Sequence, residues 1–311
     1  MTVANDILSP PTPGGSARSA PAGLPGAQVP RRANWAWLGL LPFAFFAALF
    51  LILPIVYLVT GAFQTPDGAF TFDNLIALTG SAIAASYMLS IKLSLVSALF
   101  GAVAGLLLSW ALVLGGLPRW VRGAFVTFSG VASNFAGIPL AFAFIATLGR
   151  LGIVTVLMRD VFGFNLYGAG FNLFSFWGLA LTYLYFQLPL MVLIITPALD
   201  GLKNEWREAA ESLGASHAQY WRMVALPVLA PSILGCFLLL FANAFGTLAT
   251  VYALTGSQFD VVPIMLFAQI RGNVLYNPNL GYALALGMIL IAGFSNILYL
   301  VLRSRAERWR A

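Results

Sequence analysis
The chain has 311 residues, of which 60% are hydrophobic and 8% charged, with a mean hydropathy of +0.89 and a formal net charge of +6. A soluble domain carries about 25% charged residues, so a water-soluble globule is excluded. One cysteine, Cys236, and one histidine, His217, exclude a disulfide framework and a thiol metal cluster.

In chain order, residues 1 to 33 form a tail rich in Pro, Gly, Ser and Ala, too poor in apolar side chains to repay ordering entropy. It is expected to be disordered and cytoplasmic. Arg31-Arg32 precede an apolar run without a convincing cleavage site, so an uncleaved first helix, within residues 34–63, is expected in place of a twin-arginine signal. About 20 apolar residues cross a membrane as a helix. Six such runs can be drawn, at Trp37–Val59, Leu89–Leu114, Phe125–Leu148, Phe174–Thr196, Val228–Leu254 and Leu280–Leu302. These runs are apolar all round, and none has the period of two that marks a transmembrane barrel. The expected fold is an all-α polytopic membrane protein.

Between the first two runs, Thr65-Pro66-Asp67-Gly68 reads as a turn and Phe72-Asp73-Asn74-Leu75 as the start of a short surface helix. In the second run, Gly101 and Gly105 either permit close helix approach or are a chance pair among 30 glycines. Small polar residues and prolines follow inside the later runs: Ser133, Asn134 and Pro139, then Gln187 and Pro189, then Asn243, Thr247 and Thr250. Such breaks are tolerated where a helix faces protein or a water-filled cavity. Asn134, Tyr183, Gln187, Asn243 and Thr247, with Tyr185, are therefore candidates to line a substrate path, or to make ordinary interhelical hydrogen bonds.

Positive charge orients the spans. Arg18, Arg31, Arg32, Arg119, Arg122, Lys203, Arg207, Arg222, Arg303, Arg305, Arg308 and Arg310 fall on one side of the six-span arrangement. Arg150, Arg159 and Arg271 fall on the other, with Lys92 set aside as a snorkelling residue. Basic loops stay inside, which predicts cytoplasmic termini, including a basic tail at 303–311.

Residues 197–227 are the most informative segment. Glu208-Ala209-Ala210 is followed after three residues by Gly214, and after nine more by Val224, one residue, and Leu226-Pro227. Leu202 to Leu213 reads as an amphipathic helix with Leu202, Trp206, Ala209, Ala210 and Leu213 grouped. Gly214 is the expected helix stop. Ser216 is expected to cap a short helix through Tyr220–Met223 that Leu226-Pro227 ends.

This pattern resembles the EAA loop of permease subunits from binding-protein-dependent ABC importers, with Val224 in place of the usual Ile. The resemblance implies a MetI-like type-1 transmembrane domain over residues 85–302. It implies a second permease subunit, identical or homologous, and two P-loop ATPase subunits docked on Glu208, Ala209, Ala210, Gly214, Val224, Leu226 and Pro227. It also implies an extracytoplasmic substrate-binding protein, and a place in a bacterial inner membrane. The stretch Ala244–Gly256 is similar to permeases for polyamine, phosphonate or ferric ion.

The chemistry fits. A P-loop needs a lysine followed by Ser or Thr, whereas the two lysines stand in Lys92-Leu93 and Lys203-Asn204. The chain is therefore not expected to be an enzyme, and it is expected to need no cofactor or metal and to bind no nucleic acid. No Asp or Glu lies near a span centre, which disfavours an ion-coupled secondary transporter. Because backbone carbonyls can hold sodium, a stand-alone transporter or channel stays open as the alternative, with a membrane assembly factor behind it.

Overall fold
The structure is a computed structural model that describes residues 39–272 and 278–308. The expected disordered tail, Arg310 and the end of the basic tail lie outside the described residues. The described residues fall into two compact units, 39–52 in the first and 53–272 with 278–308 in the second. In the first, α1 (Leu41–Ala47) runs into a π-helical segment, Ala48–Ile52, with every residue exposed except Ala47, which is half-buried.

The second unit holds α2 (Leu53–Ala62), α3 (Asp73–Ala77), α4 (Ser81–Leu114), α5 (Arg119–Asn134), α6 (Ile138–Leu148), α7 (Ile153–Asp160) and α8 (Phe176–Asp200). It continues with α9 (Asn204–Ser212), α10 (His217–Tyr220), α11 (Leu226–Phe245), α12 (Ala249–Thr255), α13 (Val262–Gly272) and α14 (Pro278–Arg308). Among the described residues six helical stretches are long and apolar enough to cross a membrane: Leu41–Ala62, Ser81–Leu114, Ile138–Asp160, Phe176–Asp200, His217–Phe245 and Asn279–Ser304.

The central helix is α8, with 61% of its most apolar window buried, against 22–39% for the other spans of this unit. It packs closely on α4 because α4 carries a stripe of small residues at spacings of three and four: Ser90, Ser94, Ser97, Gly101, Gly105 and Ser109, all buried. A Cβ at Gly101 would stand 2.9 Å from Gln187 Cβ, and one at Gly105 would stand 2.5 Å from Met191 Cβ. The glycine pair is therefore a close-approach seam. α11 packs on α4, α8 and α14 around Met191, Ile195, Leu199, Leu229, Leu240 and Phe241. The turn at Thr65–Gly68 forms as expected, with Gly68 at φ +83 and its N–H donating to Thr65 O. The short helix α3 follows, its Asn74 donating to Gln64 O at 2.8 Å.

Three expectations are corrected. The third run is not one helix, because the chain breaks between α5 and α6 at Phe135–Gly137, where Gly137 takes φ +74 and Pro139 restarts the helix near its N-terminus. α5 begins at Arg119 and is amphipathic, so the span-length stretch here is Ile138–Asp160. The fifth run stops at Phe245, and Gly246–Leu248 separate it from α12. Leu226-Pro227 do not end a helix. From His217 to Phe245 the chain is continuously helical, and the π-helical segment Trp221–Ala225 just before Pro227 supplies the extra residue that absorbs the missing N–H. The helix α13, between the fifth and sixth runs, has no counterpart in the sequence reading.

Candidate functional site
Residues 201–227 lead from α8 into α11. α9 begins after Lys203, and Glu205 in its first turn complements the positive helix terminus. Arg207 and Glu211 pair at 3.4 Å on its exposed face. Gly214 at φ +81 then reverses the chain, its N–H donating to Glu211 O at 2.9 Å while Ala215 N–H donates to Ala210 O at 3.0 Å. That pair of bonds is a Schellman closure, which needs left-handed backbone at Gly214.

Ser216 starts the next helix through a capping box. Its N–H donates to Gln219 Oε1 at 2.7 Å and its Oγ accepts from Gln219 N–H at 3.3 Å. Trp221 in the π-helical segment donates from Nε1 to His217 Nε2 at 3.0 Å, and its ring meets Trp110 of α4 edge-on at 5.9 Å. Trp110, Leu202, Arg207, His217 and Trp221 surround a cavity of about 110 Å³. The element is thus ordered by its own caps and pinned to α4 by two tryptophans.

Of the residues expected to couple to an ATPase, Glu208, Ala209, Gly214, Leu226 and Pro227 are exposed, and Ala210 and Val224 half-buried. Leu202 and Trp206 turn partly inward, while Leu213, expected on the same apolar face, is 88% exposed. Met223, which the sequence reading did not single out, is 73% exposed. The tryptophan pair was missed as well. Trp110 and Trp221 are distant in sequence, and nothing local signals that they meet.

The candidates for a substrate path divide. Tyr183, Asn243 and Thr247 come together: Tyr183 donates its hydroxyl to Thr247 O at 3.4 Å, and Thr247 Oγ1 donates to Asn243 O at 2.8 Å. Asn243 faces outward and Tyr183 is buried. Gln187, one turn along α8, is fully buried, donating from Nε2 to Ser97 Oγ at 2.8 Å while its Oε1 has no partner among the described residues. Asn134 is exposed at the end of α5 and donates to Gly130 O at 2.9 Å, apart from the others. Tyr185 is half-buried between Phe135 and Phe144.

The two helix interruptions meet. Thr250 of α12 accepts from Gly137 N–H through Oγ1 at 2.8 Å, so the start of α6 is fastened to α12. Irregular backbone at membrane depth persists only where protein or water satisfies it. Among the described residues no group of three His, Cys, Asp or Glu side chains could hold a metal ion.

No family model matches the chain. It is similar to the sulfate transport system permease protein CysT of Salmonella typhimurium, with 26% identity over 232 residues, 73% of this chain and 78% of the relative. A probable sulfate transport system permease protein of Nephroselmis olivacea is 27% identical over 248 residues, 78% of this chain and 80% of the relative. The spermidine/putrescine transport system permease protein PotC of Haemophilus influenzae is 29% identical over 118 residues, covering 38% and 45%. Among solved structures, a bacterial ABC transporter that imports the acidic polysaccharide alginate superimposes with a TM-score of 0.65 at 18% identity, over 88% of this chain and 95% of that one. The same kind of transporter in complex with an alginate-bound periplasmic protein gives 0.63 at 17% identity, over 88% and 94%. Relatives and fold agree with the resemblance carried by the EAA loop: the chain is similar in sequence to permease proteins of transport systems and shares the multi-helix fold of the solved ABC transporter.

Proposed function
We propose that this chain is the permease subunit through which an ATP-driven importer passes a small solute across a bacterial inner membrane. Its termini lie in the cytoplasm, and ATP is hydrolysed by separate P-loop subunits. The observation that carries the coupling role is the pinned, capped element α9–α10. Glu208, Ala209 and Leu213 stand exposed on it, while Trp221 ties it to α4. A partner pressing on such an element moves α4 and α11 together, because His217 to Phe245 is one continuous helical stretch. Alanines at 209 and 210 admit a partner's backbone, and Glu208 offers a carboxylate to its Arg or Lys.

A second permease subunit would cover the outward faces of the spans, with Asn134, Asn243 and Thr247 as path residues on that side. Tyr183 and Gln187 would then act from behind, by holding α8 to α11 and α4. The neighbour solved with a periplasmic protein bound supports delivery by an extracytoplasmic binding protein.

For the solute, a sulfate-like oxyanion is favoured. Permeases of sulfate systems stand among the relatives that align over most of the chain. The positive N-terminal end of α6 also sits at the break beside α12, a geometry that suits an anion. A polyamine is the second reading, on the strength of the spermidine/putrescine relative. The deciding experiment is co-purification with the partner chains, followed by uptake of labelled sulfate and of labelled spermidine into vesicles. Sulfate uptake that needs ATP and the binding protein supports the reading. Uptake by the isolated chain without ATP would favour a stand-alone transporter instead.

A further inference from the structure
We propose that the crevice between α8, α11 and α14 at the loop end of the spans holds the phosphate-bearing headgroup of an anionic phospholipid. Its cavity measures about 260 Å³ and is lined by Leu193, Pro197, Ser232, Gly235, Tyr299 and Arg303, with Cys236 buried beside it. The helices themselves create the space. Pro197 lacks the N–H that would donate to the carbonyl of Leu193, and Pro231, inside α11 next to Ser232, lacks its helical donor in the same way. The ring of Tyr299 lies where a Cβ on Gly235 would stand, 2.9 Å from Tyr299 Cδ2, so this wall depends on glycine.

The depth is that of a headgroup. Pro197 is three residues from the end of α8, and Arg303 is one residue from the end of the apolar stretch Asn279–Ser304. At 1.5 Å per residue this is within about 5 Å of the span ends, where the hydrocarbon core meets the interfacial layer. Arg303 follows Tyr299 by one helical turn and shares its face of α14. A cation, two hydroxyls and apolar walls from Leu193 and Ile194 suit a phosphodiester joined to acyl chains better than a fully hydrated ion. The inference rests on the spans being in a membrane and is independent of what the protein transports.

The test uses the full chain purified in mild detergent, with native mass spectrometry to count bound lipid. Phosphatidylglycerol and phosphatidylcholine of matched acyl chains are titrated separately, and then together with millimolar inorganic phosphate. The expected result is an about tenfold preference for phosphatidylglycerol, the scale of one hydrogen bond to a charged group, undisturbed by phosphate. Arg303→Gln should remove the preference, Ser232→Ala should reduce it, and Arg119→Gln, which removes an exposed cation at the start of α5 that does not line the crevice, should leave it intact. Equal binding of the two lipids by wild type, or an unchanged preference in Arg303→Gln, would overturn the proposal. Displacement by inorganic phosphate would overturn it in favour of a soluble-anion site. A coupling-defective loop variant that keeps the lipid preference separates this result from failure of the importer reading.

Discussion

Gly214→Val tests the coupling element with the fewest assumptions. Gly214 sits at φ +81 with open space around a Cβ, so the perturbation is conformational and involves no clash. A β-branched residue held in left-handed backbone costs about 1–2 kcal/mol, and the Schellman bonds from Gly214 and Ala215 are at stake with it. This corresponds to a roughly 5- to 30-fold loss of the ordered turn, and hence of the surface that Glu208 and Leu213 present. Gly68→Val provides the matched control. It has φ +83 and equally open space, but lies in the turn after α2. Both variants should insert and be recovered at similar yield. ATPase capture on immobilised permease, and ATP-driven uptake, should fall about 5- to 30-fold for Gly214→Val and stay near wild type for Gly68→Val. Glu208→Ala removes the carboxylate proposed to meet an Arg or Lys of the ATPase, a contact worth about 1.5–3 kcal/mol, so its loss should be at least as large. Wild-type capture and uptake by both loop variants, or equal losses in the Gly68 control, would refute the role given to α9–α10.

The remaining expectations probe packing, topology and division of labour. Gly105→Leu drives a side chain into Met191 and the carbonyl of Leu188, and should cost about 1–3 kcal/mol of overpacking, read as a lowered Tm in detergent. Gln187→Leu removes an unpartnered buried oxygen along with a single interhelical bond to Ser97. Since an intramembrane bond averages about 0.6 kcal/mol and a buried orphan costs about 1–3 kcal/mol, thermal stability should stay level or rise. A clear drop in Tm would mean that the oxygen is satisfied in the membrane. Single cysteines at Asp67 and Trp120 in a Cys236→Ala background should label from opposite faces of intact vesicles, with Trp120 accessible from the cytoplasm; labelling from one face would break the six-span arrangement. The isolated chain should show no saturable nucleotide site in a fluorescence titration, and stoichiometric binding would overturn the assignment of ATP to partner subunits.

The sequence determined whatever depends on local chemistry. Twenty-residue apolar stretches define spans because a bilayer must satisfy backbone polar groups within each segment. Gly214 and Ser216 announced a helix stop and a helix start because αL backbone and N-cap geometry select those residue types, and both ends form as those residues require. Gly101 and Gly105 were readable as small residues at one helical spacing, yet that they meet Gln187 and Met191 needed the partner helix in place.

Tertiary structure alone decided where helices tolerate interruption. The breaks at Phe135–Gly137 and Gly246–Leu248 lie in apolar runs whose composition favours a continuous span, and they persist because Thr250 meets the N–H of Gly137 across the fold. Pro227 was read as a terminator from its lost donor, whereas the π-helical segment before it shifts the hydrogen-bond register and carries the helix on. The pairing of Trp110 with Trp221, the burial of Gln187 and the exposure of Asn243 belong to the same class. Each depends on which face of a uniformly apolar helix turns inward, and an apolar pattern with no polar side cannot encode that choice. It is made by the fit of small-residue stripes against bulky neighbours once the helices assemble.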